Sequence, residues 1–244
     1  MNPRTVQEFA KLPFIQRAIQ NPNSPKSVLS FFLGVDFEKS DTISSLTKGD
    51  DEDVSRMLPL WFAMGNKEFD ELCTSFVDVI RTSGKRKSFT KEEESCWVSN
   101  DGKMAQIILC DQLARNAFRG SDEAYAYGDV ALEYANDLGS YVLGGGSLPP
   151  CYVMLCILPL MHSESLKEHE LCVELCQWGI ESKSSLNFSR QMKWEIDHQE
   201  VIERFGRYPH RNESLGRQST EEELKYLADK ENLSVWAGGK KVPP

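Results

Sequence analysis

A short arginine-rich stretch, residues 203–217, departs from the acidic character of the chain as a whole. The 244-residue chain has a net charge of −9. In this stretch four arginines stand against two glutamates, and one histidine adds to the positive side when protonated: Arg204, Arg207, Arg211, Arg217, Glu203, Glu213 and His210. Two glycines and a proline exclude one continuous helix here. The pattern predicts a rigid turn that either binds an anion or holds several helices together.

Ionisable residues also fall on the apolar face of a helix predicted over residues 101–118. Asp111 and Arg115 continue the apolar stripe of this helix, and their four-residue spacing places the two side chains together. Asn116 flanks the pair. A buried acid and arginine need each other or a ligand, because an unpaired buried charge costs about 3–5 kcal/mol.

Two further polar groups lie beside strongly apolar segments. His162, Ser163 and Glu164 directly follow an almost wholly apolar helix that begins at residues 148–150 and that we expect to be the central buried element. His198 lies within the apolar stripe of a helix predicted over residues 190–205. Together with the arginine-rich stretch, these groups come from at least four elements.

If the helices stack, these groups are expected to converge on an internal polar pocket with surplus positive charge, which favours a small carboxylate or phosphate. The predicted ligand-binding residues are Asp111, Arg115, Asn116, His162, Arg204, Arg207, Arg211 and Asn212. The residues predicted to transfer protons are His198, His210 and Glu164. The geometric expectation is that His198, Arg207 and Arg211 lie near Asp111 and Arg115.

Three other interpretations of the same residues stay open. The polar groups can form a hydrogen-bond network that only fixes helix registry, which is the favoured reading for any single member such as His198. A concave helical stack with a basic groove can instead bind an acidic peptide. A metal-dependent hydrolase is disfavoured because no His-x-x-x-His pair is present and the arginines would repel a cation.

The bulk composition is that of a soluble globular protein, with 40% hydrophobic residues and a pI near 5.1. The acidic balance argues against nonspecific nucleic-acid binding. Apolar runs are too short to span a bilayer, and the N-terminus lacks a signal-peptide core. Seven cysteines without a Cys-x-x-Cys pair indicate free thiols in a reducing compartment. We therefore expect a cytoplasmic protein without a membrane contact, a bound metal or a cofactor.

The periodicity predicts an all-α fold of about nine helices in an antiparallel, tetratricopeptide-like stack. Residues 1–244 are expected to form a single helical domain. Residues 36–55 are polar and acidic without periodicity, which predicts a mobile surface loop. The tail at residues 237–244 is expected to fray.

Three motifs in a fixed order resemble those of a known family. They are Asp-Gln-x-x-Arg-Asn at residues 111–116, His-Ser-Glu at 162–164 and Glu-Arg-Phe-Gly-Arg-Tyr-Pro-His-Arg-Asn at 203–212. The set resembles a widespread family of uncharacterised proteins with a tetratricopeptide-like helical fold, over roughly residues 28 to 228. Leu113 and Ala114 stand where that family usually has an aromatic–proline pair, and Phe32 where it usually has tryptophan. The resemblance implies a fold and supplies no activity.

Overall fold

The computed structural model describes residues 5–61, 66–85, 95–182 and 184–243, and these residues are mostly helical. In this part of the chain, β structure is confined to one isolated bridge between Ser234 and Lys241. The all-α prediction is confirmed. None of the described helices is long and apolar enough to cross a membrane.

The N-terminal half consists of short helices. Their bounds are α1 (Val6–Ala10), α2 (Pro13–Gln20), α3 (Pro25–Leu33), α4 (Thr42–Thr47), α5 (Glu52–Ser55), α6 (Leu58–Trp61), α7 (Lys67–Cys73), α8 (Val77–Gly84), α9 (Asn100–Ile107) and α10 (Ala114–Ala117). Side-chain caps fix several starts, since Thr5 forms a capping box with Glu8 and Ser24 accepts a bond from the Ser27 amide.

The helix predicted over residues 101–118 is interrupted. Between α9 and α10 the chain forms a π-helical turn, Ile108–Leu113, which contains Asp111. π-helical turns are rare and occur frequently at functional sites. This wider turn is the first structural feature that distinguishes the surroundings of Asp111 from an ordinary helix.

The C-terminal half contains the longer helices. Their bounds are α11 (Gly128–Leu143), α12 (Pro150–Met161), α13 (Leu166–Glu181), α14 (Phe188–Phe205) and α15 (Glu221–Ala228). Short 3₁₀ turns lie at Pro209–Arg211 and Val235–Ala237. Consecutive helices pack on each other, α11 on α12, α12 on α13 and α13 on α14.

The hydrophobic core places α12 at its centre. All 12 residues of this helix are buried, as its apolar sequence predicts. The main core cluster extends from Val6 to Phe188. A separate, smaller cluster is formed by Val201, Ile202 and Tyr208. The polar residues His162, Ser163 and Glu164 directly follow the C-terminal end of α12.

A glycine permits the close approach of α13 and α14. A Cβ atom added at Gly179 would lie 2.1 Å from Cδ1 of Phe188, which is itself 1% exposed. We expect Gly179→Ala to destabilise the protein by about 1–3 kcal/mol through overpacking, although alanine is the better helix former. Urea unfolding measures the change. Gly128→Ala is the control, since no atom lies within 4 Å of its added Cβ, and an equal loss in both variants would contradict the explanation.

Residues 36–55, which the sequence predicts to be a mobile surface loop, are partly helical in the structure. Helices α4 and α5 lie in this segment, and they bury Leu46 and Val54. Asp51 is also buried, where its carboxylate accepts bonds from the hydroxyls of Ser184 and Ser185. Three widely spaced apolar residues of the segment are buried, Phe37, Leu46 and Val54, and so sparse a pattern shows no periodicity in the sequence.

The prediction of a frayed tail is wrong for residues 237–241. The Lys241 amide donates to the Leu233 carbonyl, and the Lys241 ammonium bonds the Asp197 carboxylate at 2.6 Å. Trp236 Nε1 donates to the same carboxylate at 2.7 Å. The C-terminal segment, residues 233–241, is therefore fastened to α14 by one buried acid. Its short sequence, Leu-Ser-Val-Trp-Ala-Gly-Gly-Lys-Lys, shows no periodicity that would predict this partner.

Candidate functional site

The C-terminal end of α12 carries the centre of the candidate site. The last carbonyls of a helix have no partner within it and must find donors elsewhere. The Tyr208 hydroxyl donates to the Met161 carbonyl at 2.6 Å, and Arg211 Nη1 donates to the His162 carbonyl at 2.9 Å. Two donors from the arginine-rich stretch therefore bind the end of the central helix.

A third donor comes from α13. His169 Nε2 lies 3.0 Å from the Ser163 carbonyl, and its Nδ1 lies 2.5 Å from Glu195 Oε1 on α14. Both His169 and Glu195 are fully buried. Burial acts to lower the pKa of His169, but the hydrogen bond and charge of Glu195 raise it above its ordinary value.

Asp111, Arg115 and His162 form one contact cluster. Arg115 Nη2 donates to Asp111 Oδ1 at 2.7 Å, and Arg115 Nη1 lies 3.2 Å from His162 Nε2. His162 Nδ1 lies 3.3 Å from Asp111 Oδ1. Arg115 Nη2 also lies 3.0 Å from His162 Nδ1, so both ring nitrogens of His162 face the Arg115 guanidinium.

The electrostatics of this cluster follow from burial and from the nearby arginine. Burial alone would raise the pKa of Asp111, but Arg115 and His162 outweigh it and hold that pKa well below its ordinary value. Burial, with Arg115 next in effect, lowers the pKa of His162 to about 4. At pH 7 the cluster therefore contains one carboxylate, one guanidinium and a neutral imidazole.

Arg211 adds a second positive charge to this cluster. Its guanidinium lies 4.7 Å from the Tyr208 ring centre and donates to the His162 carbonyl. Burial and the nearby charge of Arg115 lower the pKa of Arg211. Within the residues that the structure describes, no carboxylate lies at ion-pair distance from Arg211. The acids whose charges act on Arg211 are Glu164 and Asp111. Each of them already pairs with another arginine, Glu164 with Arg217 and Asp111 with Arg115, so three guanidinium groups share two carboxylates.

Glu164 is held in a separate ion pair. Arg217 donates to its carboxylate from Nη1 at 2.6 Å and from Nη2 at 2.9 Å, and the Tyr208 amide donates to Oε1 at 2.8 Å. Burial acts to raise the pKa of Glu164, but these contacts lower it. The acid predicted to transfer protons thus holds the arginine-rich stretch against α12.

Comparison with known proteins identifies the family of the chain. The model of a family described as bacterial protein of unknown function (DUF924) matches residues 44–231. The chain belongs to this family. A solved structure of a protein of unknown function from Agrobacterium tumefaciens is similar at 26% identity and a TM-score of 0.55, over 69% of this chain and 88% of that one. No curated protein matches the chain.

The four histidines of this DUF924 member surround Tyr208. The ring centres of His169, His198 and His210 lie 6.4, 5.8 and 5.6 Å from that of the buried Tyr208. The fourth, His162, follows Met161, whose carbonyl accepts the Tyr208 hydroxyl bond. Tyr208 is not among the site residues predicted from the sequence, yet it is the residue that these side chains surround.

The C-terminal segment covers two of the histidines and lies beyond the residues that match the family. Trp236 stacks on His198 with ring centres 4.0 Å apart and meets His210 edge-on at 5.3 Å. Burial lowers the pKa of His198 to about 3, and burial together with Arg211 lowers that of His210 to about 4. His198 Nδ1 bonds the Trp194 carbonyl at 2.7 Å.

Three of the predicted ligand-binding residues lie apart from the cluster. Arg207 donates to Glu223 Oε1 at 2.6 Å and Oε2 at 2.8 Å, and Asn212 bonds the same carboxylate at 3.2 Å. The Arg207 hydrogen bond lowers the pKa of Glu223 to about 2. Arg204 pairs with Glu222 on the surface. The expectation that Arg207 lies near Asp111 and binds the ligand there is not supported by this placement.

The local backbone explains why Arg207 lies apart from the cluster of Asp111, Arg115 and His162. Gly206 ends α14 in the left-handed conformation, with φ of +67°, and redirects the chain directly before Arg207. Glu223, the N3 residue of the capping box that starts α15, then meets Arg207. Asn116 also serves structure, since its side-chain oxygen accepts a bond from Arg119 at 2.6 Å.

His169 and Glu195 are not among the site residues predicted from the sequence, although the sequence carries a signal for each. The buried residues of α13 follow three- and four-residue steps that begin at His169 and continue through Cys172. Those of α14 include Glu195 and His198 in the same way. Both residues lie on the apolar stripe of their helix, the same pattern that identified Asp111.

The cluster lies at a partly exposed surface. The side chains of Arg115 and His162 keep 28% and 22% of their exposure, whereas Asp111 keeps 2%. Two cavities lie elsewhere, one of about 470 Å³ beside α2 and α3 and one of about 350 Å³ beside Arg204 and Tyr226. An anion at the cluster would therefore bind at its surface, with Asp111 beneath, instead of in one of these cavities.

Metal coordination has no ligand set in the described residues. Among them, no group of three or more His, Cys, Asp or Glu side chains is arranged to hold a metal ion. The histidines surround Tyr208 with aromatic and arginine neighbours between them.

Proposed function

We propose that this protein binds a small anion, a carboxylate or a phosphate, at the surface formed by Arg115, His162 and Arg211. The observation that carries the proposal is the excess of guanidinium groups over acids. Asp111 pairs with Arg115, and Arg211 has no acidic partner in the described chain. Positive charge without a partner in a partly buried place favours an anion.

The hydrogen-bond inventory supports the same ligand class. A guanidinium carries five N–H donors, and that of Arg211 makes one described hydrogen bond, to the His162 carbonyl. Its remaining donors suit the planar oxygens of a carboxylate or the oxygens of a phosphate. The π-helical turn that holds Asp111 is a further sign of a specialised site.

Acid–base chemistry is a separate part of the proposal and is assigned to His210. The Nδ1 atom of this residue is buried and has no hydrogen-bond partner in the described chain. Its lowered pKa, near 4, leaves the ring neutral at pH 7 and able to accept a proton. Binding of the anion does not depend on this role.

The test compares two arginines of this stretch. Inorganic phosphate, acetate and citrate are titrated at constant ionic strength, and binding is measured by calorimetry and by thermal shift. We expect the preferred anion to bind Arg211→Met about tenfold to a hundredfold more weakly than wild type, because a hydrogen bond to a charged group contributes about 1.5–3 kcal/mol. Arg204→Met removes a surface arginine that pairs with Glu222 and should bind as wild type does.

The outcomes separate the interpretations. The proposal fails if no anion stabilises wild type more than chloride does, or if Arg211→Met keeps the full response. An acidic peptide with a free C-terminal carboxylate forms another arm of the titration. If only that peptide binds, and Arg211→Met loses it, the alternative of a peptide-binding module replaces the small-anion site.

A further inference from the structure

The buried pair His169–Glu195 is an expensive feature that packing does not require. Both residues are fully buried, one on α13 and one on α14. The second carboxylate oxygen of Glu195, Oε2, has no hydrogen-bond partner in the described residues. Apolar residues of similar volume in place of such a pair are often neutral or stabilising. A role other than stability is therefore the better explanation for the pair.

The position of His169 indicates that role. Its Nδ1 faces the Glu195 carboxylate, and its Nε2 faces the Ser163 carbonyl, so both neighbours are acceptors. With the Glu195 carboxyl ionised, both ring nitrogens carry hydrogen, which makes His169 an imidazolium paired with Glu195. Glu168 adds a further negative charge nearby, and the Tyr208 hydroxyl lies 3.4 Å from Nε2.

The turn that His169 holds is the one that presents the anion site. Three consecutive carbonyls, those of residues 161–163, accept bonds from Tyr208, Arg211 and His169 in turn. A cation at a helix C-terminus is also favoured by the helix dipole. We propose that His169, held by Glu195, is a positioning residue that fixes the His162–Glu164 turn so that His162 and Arg211 face the same anion. This role rests on the function proposed above.

The test removes the donor while keeping the packing. In the double variant His169→Phe with Glu195→Met, the buried pair is replaced by apolar side chains of similar size, which should preserve the fold. We expect the dissociation constant for inorganic phosphate to rise about tenfold, and the ring signals of His162 in nitrogen-15 NMR spectra to shift in the ligand-free protein. Glu221→Gln with Lys225→Gln removes an exposed ion pair and serves as the control.

A purely structural role predicts the opposite result. The inference is overturned if the folded double variant binds phosphate as wild type does and leaves the His162 signals in place. If wild type binds none of phosphate, acetate and citrate, the proposed function fails, and the His162 signals alone decide whether His169 positions the turn. If the double variant does not fold, two measurements decide. His169→Gln, which keeps a neutral donor for Ser163, should retain most of the affinity, and wild-type His169 should be protonated on both nitrogens at pH 7.

Discussion

Replacing Tyr208 by alanine is expected to lower the free energy of unfolding by about 3–5 kcal/mol. The Tyr208 side chain is fully buried and is the largest in the smaller core cluster, which it forms with Val201 and Ile202. Its removal leaves a cavity between Trp236 and the histidines, and it leaves the Met161 carbonyl without its donor. Urea unfolding measures the loss, with an unchanged slope as the sign that both states keep their compactness.

Two further variants separate the contribution of the Tyr208 hydroxyl from that of its ring and provide a control for the loss of a tyrosine. Tyr208→Phe keeps the ring and removes only the hydroxyl, so we expect a loss of about 1–3 kcal/mol from the unpaired carbonyl. Tyr125→Ala removes a tyrosine that is 66% exposed and should cost less than about 1 kcal/mol. A Tyr208→Phe variant as unstable as Tyr208→Ala would show that the hydroxyl, and not the ring packing, dominates.

Asp111→Asn is expected to destabilise the protein by about 3 kcal/mol at pH 7. Removing one partner of a buried ion pair leaves the other charge uncompensated, which costs about 3–5 kcal/mol when both are fully buried. Asp111 is 2% exposed, but Arg115 keeps 28% of its exposure, so the lower end of that range applies. Asp137→Asn, which removes an exposed partner of Lys103, should cost less than about 1 kcal/mol.

The pH dependence of this difference follows from the lowered pKa of Asp111. A carboxyl group with a depressed folded-state pKa contributes stability above its unfolded pKa, which is about 3.9 for aspartate. That contribution disappears as the pH falls through the folded-state value. The stability gap between wild type and Asp111→Asn should therefore be constant above about pH 5 and shrink below about pH 4. A gap that does not change with pH would contradict the charged role of Asp111.

Asp111→Asn also tests the anion site, because this variant should strengthen anion binding whereas Arg211→Met should weaken it. The variant has two guanidinium groups and no acid in the cluster, so an anion should bind it more tightly than it binds wild type. We expect phosphate to raise the melting temperature of Asp111→Asn by more than that of wild type. Equal shifts in the two proteins would place phosphate away from Arg115 and Arg211.

The fold class was accessible from the sequence because it depends on local patterns. An unbroken apolar run follows residues 148–150, and apolar residues recur at three and four positions over residues 190–205. Both segments are helices. The capping box at Thr220 likewise marks the start of α15. The incorrect predictions fall in segments with few apolar residues. One buried side chain such as Leu46 is enough to hold a short helix against the core, and a single residue produces no helical periodicity in the sequence.

The candidate site was accessible only in part. The four-residue spacing of Asp111 and Arg115 predicts that their side chains are in contact, and Arg115 donates a hydrogen bond to Asp111. The contact of both with His162 joins residues that are 47 and 51 positions apart in the sequence, and the helix packing alone brings them together. Arg207 shows the converse, because a glycine in the left-handed conformation directs it to Glu223.

The sequence by itself determined that the chain is helical, that α12 is its buried centre, and that charged residues lie on apolar helix faces. Those properties depend on neighbours a few residues away along the chain. Only the tertiary structure decided which charges remain without a partner, because pairing depends on distances between separate elements. Arg207 and Arg217 form ion pairs with glutamates. The guanidinium of Arg211, in the same stretch, donates a hydrogen bond only to a carbonyl among the described residues. The anion hypothesis for this DUF924 protein therefore depends on Arg211.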